Sequence, residues 1–133
     1  MGLFSRRTER TPLDDVDAVL SDLDGVVYAG PGPLPYAVES LTRAGQTRRL
    51  GYITNNASRR DSAVADHLRE LGLTATQPDD VVTSPQAAMR LLRERVTPGA
   101  TVLVVGGDGL VFELEKAGYR VTRSADDAPA AVV

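Results

Sequence analysis

Short apolar runs alternate with amphipathic segments along most of the chain. Five runs have the valine- and leucine-rich composition of buried strands, and a sixth begins in residues 130–133. The segments between them place apolar residues three or four positions apart, which predicts helices. This alternation predicts an α/β fold with a parallel sheet of the doubly wound type. The predicted strands are residues 19–22, 50–54, 81–83, 101–105 and 119–121, and the predicted helices are residues 36–44 and the segments that begin near Ser58, Ser84 and Leu110.

Local signals mark the ends of these helices. Ser58 with Asp61 three residues later approximates a capping box, and Ser84 followed by Pro85 predicts an N-cap with proline at the first helical position. Gly45 predicts a C-cap for the first helix. The apolar residues expected to face inward are Val64, Leu68 and Leu71 in the second helix, Ala88, Leu91 and Leu92 in the third, and Leu110, Val111 and Leu114 in the fourth.

Two carboxylates one residue apart end the first predicted strand. Asp22 and Asp24 precede Gly25, which lets the backbone turn sharply, so we expect both acids close together at the end of the strand. Neighbouring carboxylates repel each other, and a hard cation such as Mg²⁺, which takes oxygen ligands, relieves that repulsion. One carboxylate can then act as a nucleophile and the other as an acid or base. The alternative is a turn with two solvated acids. Residues 29–35 are predicted to form a proline- and glycine-rich connector, at a position where a substrate gate is the alternative.

The second predicted strand also ends in small polar side chains, those of Thr54, Asn55 and Asn56. In an open parallel sheet, the carboxyl ends of neighbouring strands meet in one crevice, where ligands bind. A hydroxyl group and two amides just before a helix start suit an anion such as phosphate. The alternative is that Asn55 or Asn56 only caps the following helix.

Composition narrows the classes of function. The chain has 133 residues, which is one domain's worth, with 42% hydrophobic and 5% aromatic residues. A net charge of −3 gives no reason to expect a nucleic-acid partner. The absence of cysteine excludes disulfides, thiolate metal sites and a cysteine nucleophile. The single histidine, His67, lies beside the apolar stripe of its helix and is expected at the surface or boundary.

Residues 1–15 are predicted to form a flexible basic tail. They carry Arg6, Arg7 and Arg10 among polar residues, and no apolar run there is long enough for a signal peptide or a membrane span. We therefore expect no membrane partner and a cytoplasmic location.

Residues 22–28 and 52–58 together resemble motifs I and II of the haloacid dehalogenase-like superfamily. More narrowly, they resemble subfamily IIA, the nitrophenylphosphatase-like and phosphoglycolate phosphatase-like enzymes. Residues 82–84 and 104–110 resemble segments that follow motif II in this subfamily. The resemblance implies a Rossmann-like core sheet with an inserted α/β cap domain.

The resemblance also implies a chemistry and a role for each polar residue. The expected activity is that of a Mg²⁺-dependent phosphatase acting on a small phosphorylated metabolite. Asp22 would attack phosphorus to give an aspartyl-phosphate, and Asp24 would protonate the leaving alkoxide and then activate water. Thr54, Asn55 and Asn56 would hold the phosphate oxygens. Asp22 would ligate Mg²⁺ through its side chain, and Asp24 through its backbone carbonyl.

Two later motifs of the family, which supply a lysine and further metal ligands, have no match here. The only lysine, Lys116, fits neither motif. We therefore expect an N-terminal portion of a longer phosphatase, with half of the core in residues 16–97 and a truncated start of the cap in residues 98–133. Alone it is expected to bind Mg²⁺ weakly and to turn over poorly, and the full-length protein is expected to form a homodimer through its cap.

Two rival hypotheses remain. One is a non-catalytic phosphate-binding or regulatory module that keeps only motifs I and II. The other is a compact capless phosphotransferase in which Asp108 and Glu113, after a glycine-rich turn at residues 106–109, imitate the family's last motif. In that case Asp108 would lie close to Asp22. The plainer interpretation of the turn is a strand–helix connection that needs glycine for close packing.

Overall fold

The structure is a computed structural model that describes residues 10–133, so most of the predicted basic tail lies outside the described residues. The strands are β1 Ala18–Asp22, β2 Tyr28–Ala29, β3 Gly32–Pro33, β4 Arg49–Thr54, β5 Val81–Thr83, β6 Thr101–Leu103, β7 Arg120–Thr122 and β8 Ala131–Val132. The helices are α1 Ala37–Ala44, α2 Asp61–Glu70, α3 Ser84–Arg93 and α4 Asp108–Lys116, with single 3₁₀ turns at Pro78–Asp80 and Ala125–Asp127.

The first sheet has the strand order β1-β4-β5, and all its strands are parallel. Side chains alternate between its two faces, so Tyr52 points to one face and its neighbour Ile53 to the other. The Tyr52 face packs against α1 and α2. The buried residues of this cluster are Leu23, Val27, Tyr28, Tyr52, Val64, Ala65, Leu68, Leu73 and Val81.

The opposite face of the first sheet is apolar and exposed. Leu20 retains 69% of its accessible surface, Ile53 retains 47% and Val82 retains 48%. The parallel register places these three side chains on one face, with Gly51 beside Leu20. Parallel sheets in α/β proteins are normally covered on both faces. Among residues 10–133, no helix covers this one.

The second sheet has the order β7-β6-β8, again with parallel strands. Its core is a separate cluster to which α3 contributes Met89 and α4 contributes Leu110 and Leu114. The α/β fold with parallel strands that the sequence predicted is therefore confirmed. No helix within residues 10–133 is long and apolar enough to cross a membrane.

Two predicted helix starts were wrong. The N-cap of α2 is Arg60, which has no side-chain cap, and Ser58 lies two residues before it in a turn where its N–H donates to Asn56 Oδ1 at 2.8 Å. The N-cap of α3 is Thr83 rather than Ser84, and the Thr83 N–H donates to Gln86 Oε1 at 3.0 Å.

The predicted inner face of α3 was also wrong in one residue. Leu91 is 60% exposed, whereas Met89 is 4% exposed and lies in the second core. Met89 and Leu91 point about 200° apart around the helix, so the face that buries Met89 turns Leu91 towards solvent. Residues 29–35 also contain more structure than a plain loop, because Ala29 pairs with Gly32 in the short β2–β3 hairpin.

Candidate functional site

A tight turn after β1 displays the two aspartates. Leu23 and Val27 are fully buried and anchor the turn, while Asp22 and Asp24 are exposed. The Leu23 carbonyl accepts the N–H groups of Val26 and Val27. This alternation of buried and exposed residues turns both carboxylates away from the core.

Gly25 makes this turn with a left-handed backbone. Its φ is 80°, and its N–H donates to the Tyr28 carbonyl at 2.8 Å. The Asp22 carboxylate accepts the N–H of Leu23 at 2.8 Å, which fixes its orientation. Both acids therefore lie on a constrained backbone and face solvent, where they can take further ligands.

The end of β4 lies beside the end of β1. Asp22 is aligned with Ile53, so Thr54 follows directly at the same edge of the sheet. Thr54 is 2% exposed, and its Oγ1 accepts the Asn56 N–H at 3.1 Å. The hydroxyl proton of Thr54 can still be donated to a ligand. The structure thus brings the two predicted polar stretches to one edge.

The two asparagines serve local turns rather than the next helix. Asn55 is exposed, and its backbone carbonyl accepts the Ser84 Oγ at 3.0 Å. Asn56 uses its side-chain oxygen to accept the Ser58 N–H, which leaves its NH₂ group as a donor. Neither residue caps α2, since that N-cap is Arg60.

Tyr28 lies close enough to Asp24, Asp22 and Arg59 to interact with them electrostatically. No role was predicted for Tyr28 or Arg59 from the sequence. Burial raises the pKa of the Tyr28 phenol, the Asp24 charge raises it further, and the Arg59 charge opposes this. The Tyr28 ring packs edge-to-face on His67, with 4.9 Å between centroids. His67 is thus a boundary residue, as predicted, with 18% of its side chain exposed. The sequence could have indicated Arg59, because a basic residue shortly after the polar end of a strand, here β4, can lie near a site at that end.

Asp22 and Asp24 supply the oxygen donors available for a metal. Mg²⁺ is commonly held by one or two carboxylates and several waters, so two exposed aspartates fit this ion. No group of three or more metal-ligating side chains occurs within residues 10–133, and Asp108 therefore does not join the two aspartates in such a group.

The charged residues of α4 interact with one another instead. Lys116 Nζ lies 3.7 Å from Glu113 Oε1 and 5.7 Å from the centroid of the Phe112 ring. Glu113 is 7% exposed. The only lysine of the chain is therefore engaged within its own helix.

A family model described as haloacid dehalogenase-like hydrolase matches residues 19–120. The D-glycerol 3-phosphate phosphatase of Mycobacterium tuberculosis is 49% identical over 117 residues, which cover 88% of this chain and 32% of that protein. A crystal structure of glycerol phosphate phosphatase from the same organism in complex with magnesium superimposes with a TM-score of 0.82 at 46% identity, covering 90% of this chain and 36% of that one. The p-nitrophenyl phosphatase of Archaeoglobus fulgidus gives a TM-score of 0.72 at 26% identity, covering 87% and 43%. The chain thus spans roughly a third of the length of the curated relative it matches.

Proposed function

Because the chain belongs to the haloacid dehalogenase-like hydrolase family, as residues 22–28 and 52–58 predicted, we propose that it is part of a Mg²⁺-dependent phosphatase. The reaction is hydrolysis of a small phosphomonoester through an aspartyl-phosphate. The observation that carries this proposal is the meeting of Asp22 and Asp24 with Thr54 and Asn55 at one edge of the first sheet.

In the proposed reaction, a carboxylate oxygen of Asp22 forms a bond to phosphorus as the bond to the alkoxide leaving group breaks. Asp24 gives its proton to that alkoxide and then takes a proton from water. The water oxygen attacks phosphorus, which releases inorganic phosphate and restores the Asp22 carboxylate. Thr54 and the Asn55 backbone donate hydrogen bonds to the phosphate oxygens, and Asn56 contributes its NH₂ group.

Asp22 would hold Mg²⁺ through its side chain and Asp24 through its backbone carbonyl. The ion would neutralise the charge of the transferring phosphoryl group. The Leu23 N–H holds the Asp22 carboxylate in place, which supports this assignment.

Two observations support the further proposal that a longer polypeptide completes the site. The only lysine of the chain is paired with Glu113 in α4, so it does not serve as the lysine that the family's third motif places beside the nucleophile and phosphate. The apolar face of Leu20, Ile53 and Val82 is also exposed, although such faces are normally covered. The 133-residue chain alone should therefore bind Mg²⁺ weakly and turn over slowly.

The named relatives suggest which substrate to test first. A glycerol 3-phosphate phosphatase is 49% identical to this chain, so glycerol 3-phosphate is the first phosphomonoester to examine. We also propose that the full-length protein forms a homodimer through its cap and is cytoplasmic, as the sequence predicts.

Orthovanadate, which resembles the transferring phosphoryl group, gives a direct test. Its binding is measured by calorimetry with and without Mg²⁺ for the wild type, Asp22→Asn and Asp79→Asn. Asp79 is an exposed aspartate just before β5, at the opposite edge of the sheet, and serves as the matched control. We expect Asp22→Asn alone to lose the Mg²⁺-dependent binding. Equal Mg²⁺-dependent binding in Asp22→Asn would refute the proposal.

A further inference from the structure

The glycine-rich turn of residues 106–109 has no role in the proposed chemistry. It packs against the loop of residues 55–59, which follows Thr54 at the candidate phosphate site. The Gly109 N–H donates to the Ser58 carbonyl at 3.2 Å. The first N–H groups of a helix have no partner within the helix, and the N-cap residue Gly107 has no side chain to supply one. The Ser58 carbonyl thus satisfies one of these donors.

The same contact leaves no room for a side chain at Gly107 or Gly109. A Cβ at Gly109 would lie 2.8 Å from the Arg59 carbonyl oxygen and 2.9 Å from the Arg59 carbonyl carbon. A Cβ at Gly107 would lie 3.1 Å from Ser58 Cα. Both obstacles are backbone atoms, which cannot rotate away as the end of a flexible side chain can.

Further contacts hold this loop at both ends. At its start, the Ser84 hydroxyl at the beginning of α3 donates to the Asn55 carbonyl at 3.0 Å. At its end, the Arg60 guanidinium lies 4.1 Å from the centroid of the Phe112 ring of α4. The loop of residues 55–59 is therefore supported by α3 at its start, and Arg60, which follows it, contacts α4.

We propose that Gly109 and Gly107 are positioning residues, which let the first turn of α4 hold the loop of residues 55–59 in the geometry that binds phosphate. This inference rests on the proposed phosphate role of Thr54 and Asn55. It also gives the glycine-rich turn a use other than metal binding by Asp108. The first turn of α4 thereby affects phosphate binding without touching phosphate.

Three alanine variants of the turn form a graded test. The Cβ added by Gly109→Ala would lie 2.8 Å from a backbone atom, and the Cβ added by Gly107→Ala would lie 3.1 Å from one. The Cβ added by Gly106→Ala would contact only the Leu110 side chain, at 3.0 Å. Gly106→Ala is the matched control, because it makes the same chemical change in the same turn without contacting the loop. Alanine favours a helix more than glycine does, so the helical preference of α4 cannot cause a loss in Gly109→Ala.

The dissociation constants of orthovanadate, at saturating Mg²⁺, and of Mg²⁺ alone are measured for each variant, with amide NMR signals as a structural readout. We expect Gly109→Ala to weaken vanadate binding about tenfold or more, Gly107→Ala to weaken it less and Gly106→Ala to leave it unchanged. The Mg²⁺ affinity should stay constant, because Asp22 and Asp24 lie on another loop. Wild-type vanadate affinity in both Gly109→Ala and Gly107→Ala would overturn the inference.

A failure of the proposed function is distinguishable from a failure of this inference. If the wild type binds no vanadate, the proposed function fails. The amide NMR signals then test whether the first turn of α4 still holds the loop of residues 55–59. Shifts that reach Asn55 and Asn56 in Gly109→Ala, and not in Gly106→Ala, support the coupling between α4 and the loop. Shifts confined to α4 overturn it. If Gly109→Ala does not fold, Gly107→Ala gives the same two outcomes.

Discussion

Replacing Gly25 by alanine tests whether the turn that displays Asp24 depends on a left-handed backbone. Gly25 has φ 80°, and a Cβ built there would meet no atom within 4 Å. A steric clash therefore contributes nothing, and the native-state cost of alanine comes from the backbone conformation alone. That conformation costs an L-residue other than glycine roughly 1–2 kcal/mol.

A second glycine variant removes the effect of alanine on the unfolded chain. Alanine lowers the entropy of the unfolded state and so stabilises a protein by about 0.4–1 kcal/mol at a compatible site. Gly32 is such a site, because its φ is not positive and its Cβ position is also open. The unfolded-state effect is shared, so Gly25→Ala should be less stable than Gly32→Ala by about 1–2 kcal/mol.

Urea unfolding followed by far-ultraviolet circular dichroism measures this difference, since the chain has no tryptophan. Gly25→Asn should recover part of the loss, because asparagine tolerates the left-handed region better than alanine. Equal free energies of unfolding for Gly25→Ala and Gly32→Ala would contradict the expected cost of a left-handed alanine. That result would mean that the turn relaxes without cost, so that it does not constrain Asp24.

Two further predictions concern stability. Leu114→Ala removes a fully buried side chain and should lower the free energy of unfolding in urea by about 2–5 kcal/mol. Leu91→Ala removes a side chain that is 60% exposed and should change that free energy by less than about 0.5 kcal/mol. Equal losses in the two variants would contradict the assignment of the second core. Burial raises the pKa of the Tyr52 phenol in the folded state. Above about pH 10 the unfolded chain therefore loses this proton while the folded protein keeps it, so the free energy of unfolding falls as the pH rises. Tyr52→Phe should flatten that fall in stability scans from pH 8 to 11, and Tyr36→Phe, which changes an 81% exposed side chain, should not.

The site's strands could be predicted from the sequence because local patterns determine them. Asp22 and Thr54 each end an apolar run, and parallel strands bring such ends to one edge. The strand register then places the two ends side by side, with Asp22 aligned to Ile53. The roles assigned to these residues depend on the family resemblance rather than on the pattern.

The contacts that support the site could not be predicted, because they join residues far apart in the chain. The sequence suggested that Ser58 caps α2, but its carbonyl accepts the Gly109 N–H, about fifty residues away. Periodicity likewise could not decide between Met89 and Leu91 in α3, because Met89 lies three residues before Leu92 and Leu91 lies three residues after Ala88, and both are helical spacings of apolar residues. The choice is made by packing against the second core, which periodicity does not describe.

Trapping of a covalent phosphoenzyme tests whether Asp22 is the nucleophile. The chain is incubated with p-nitrophenyl phosphate and Mg²⁺, quenched in acid, digested and examined by peptide mass spectrometry. We expect one phosphoryl group on Asp22, absent without Mg²⁺ and absent in Asp22→Asn, and still present in Asp79→Asn. No phosphoryl group in the wild type, or one that persists in Asp22→Asn, would contradict it.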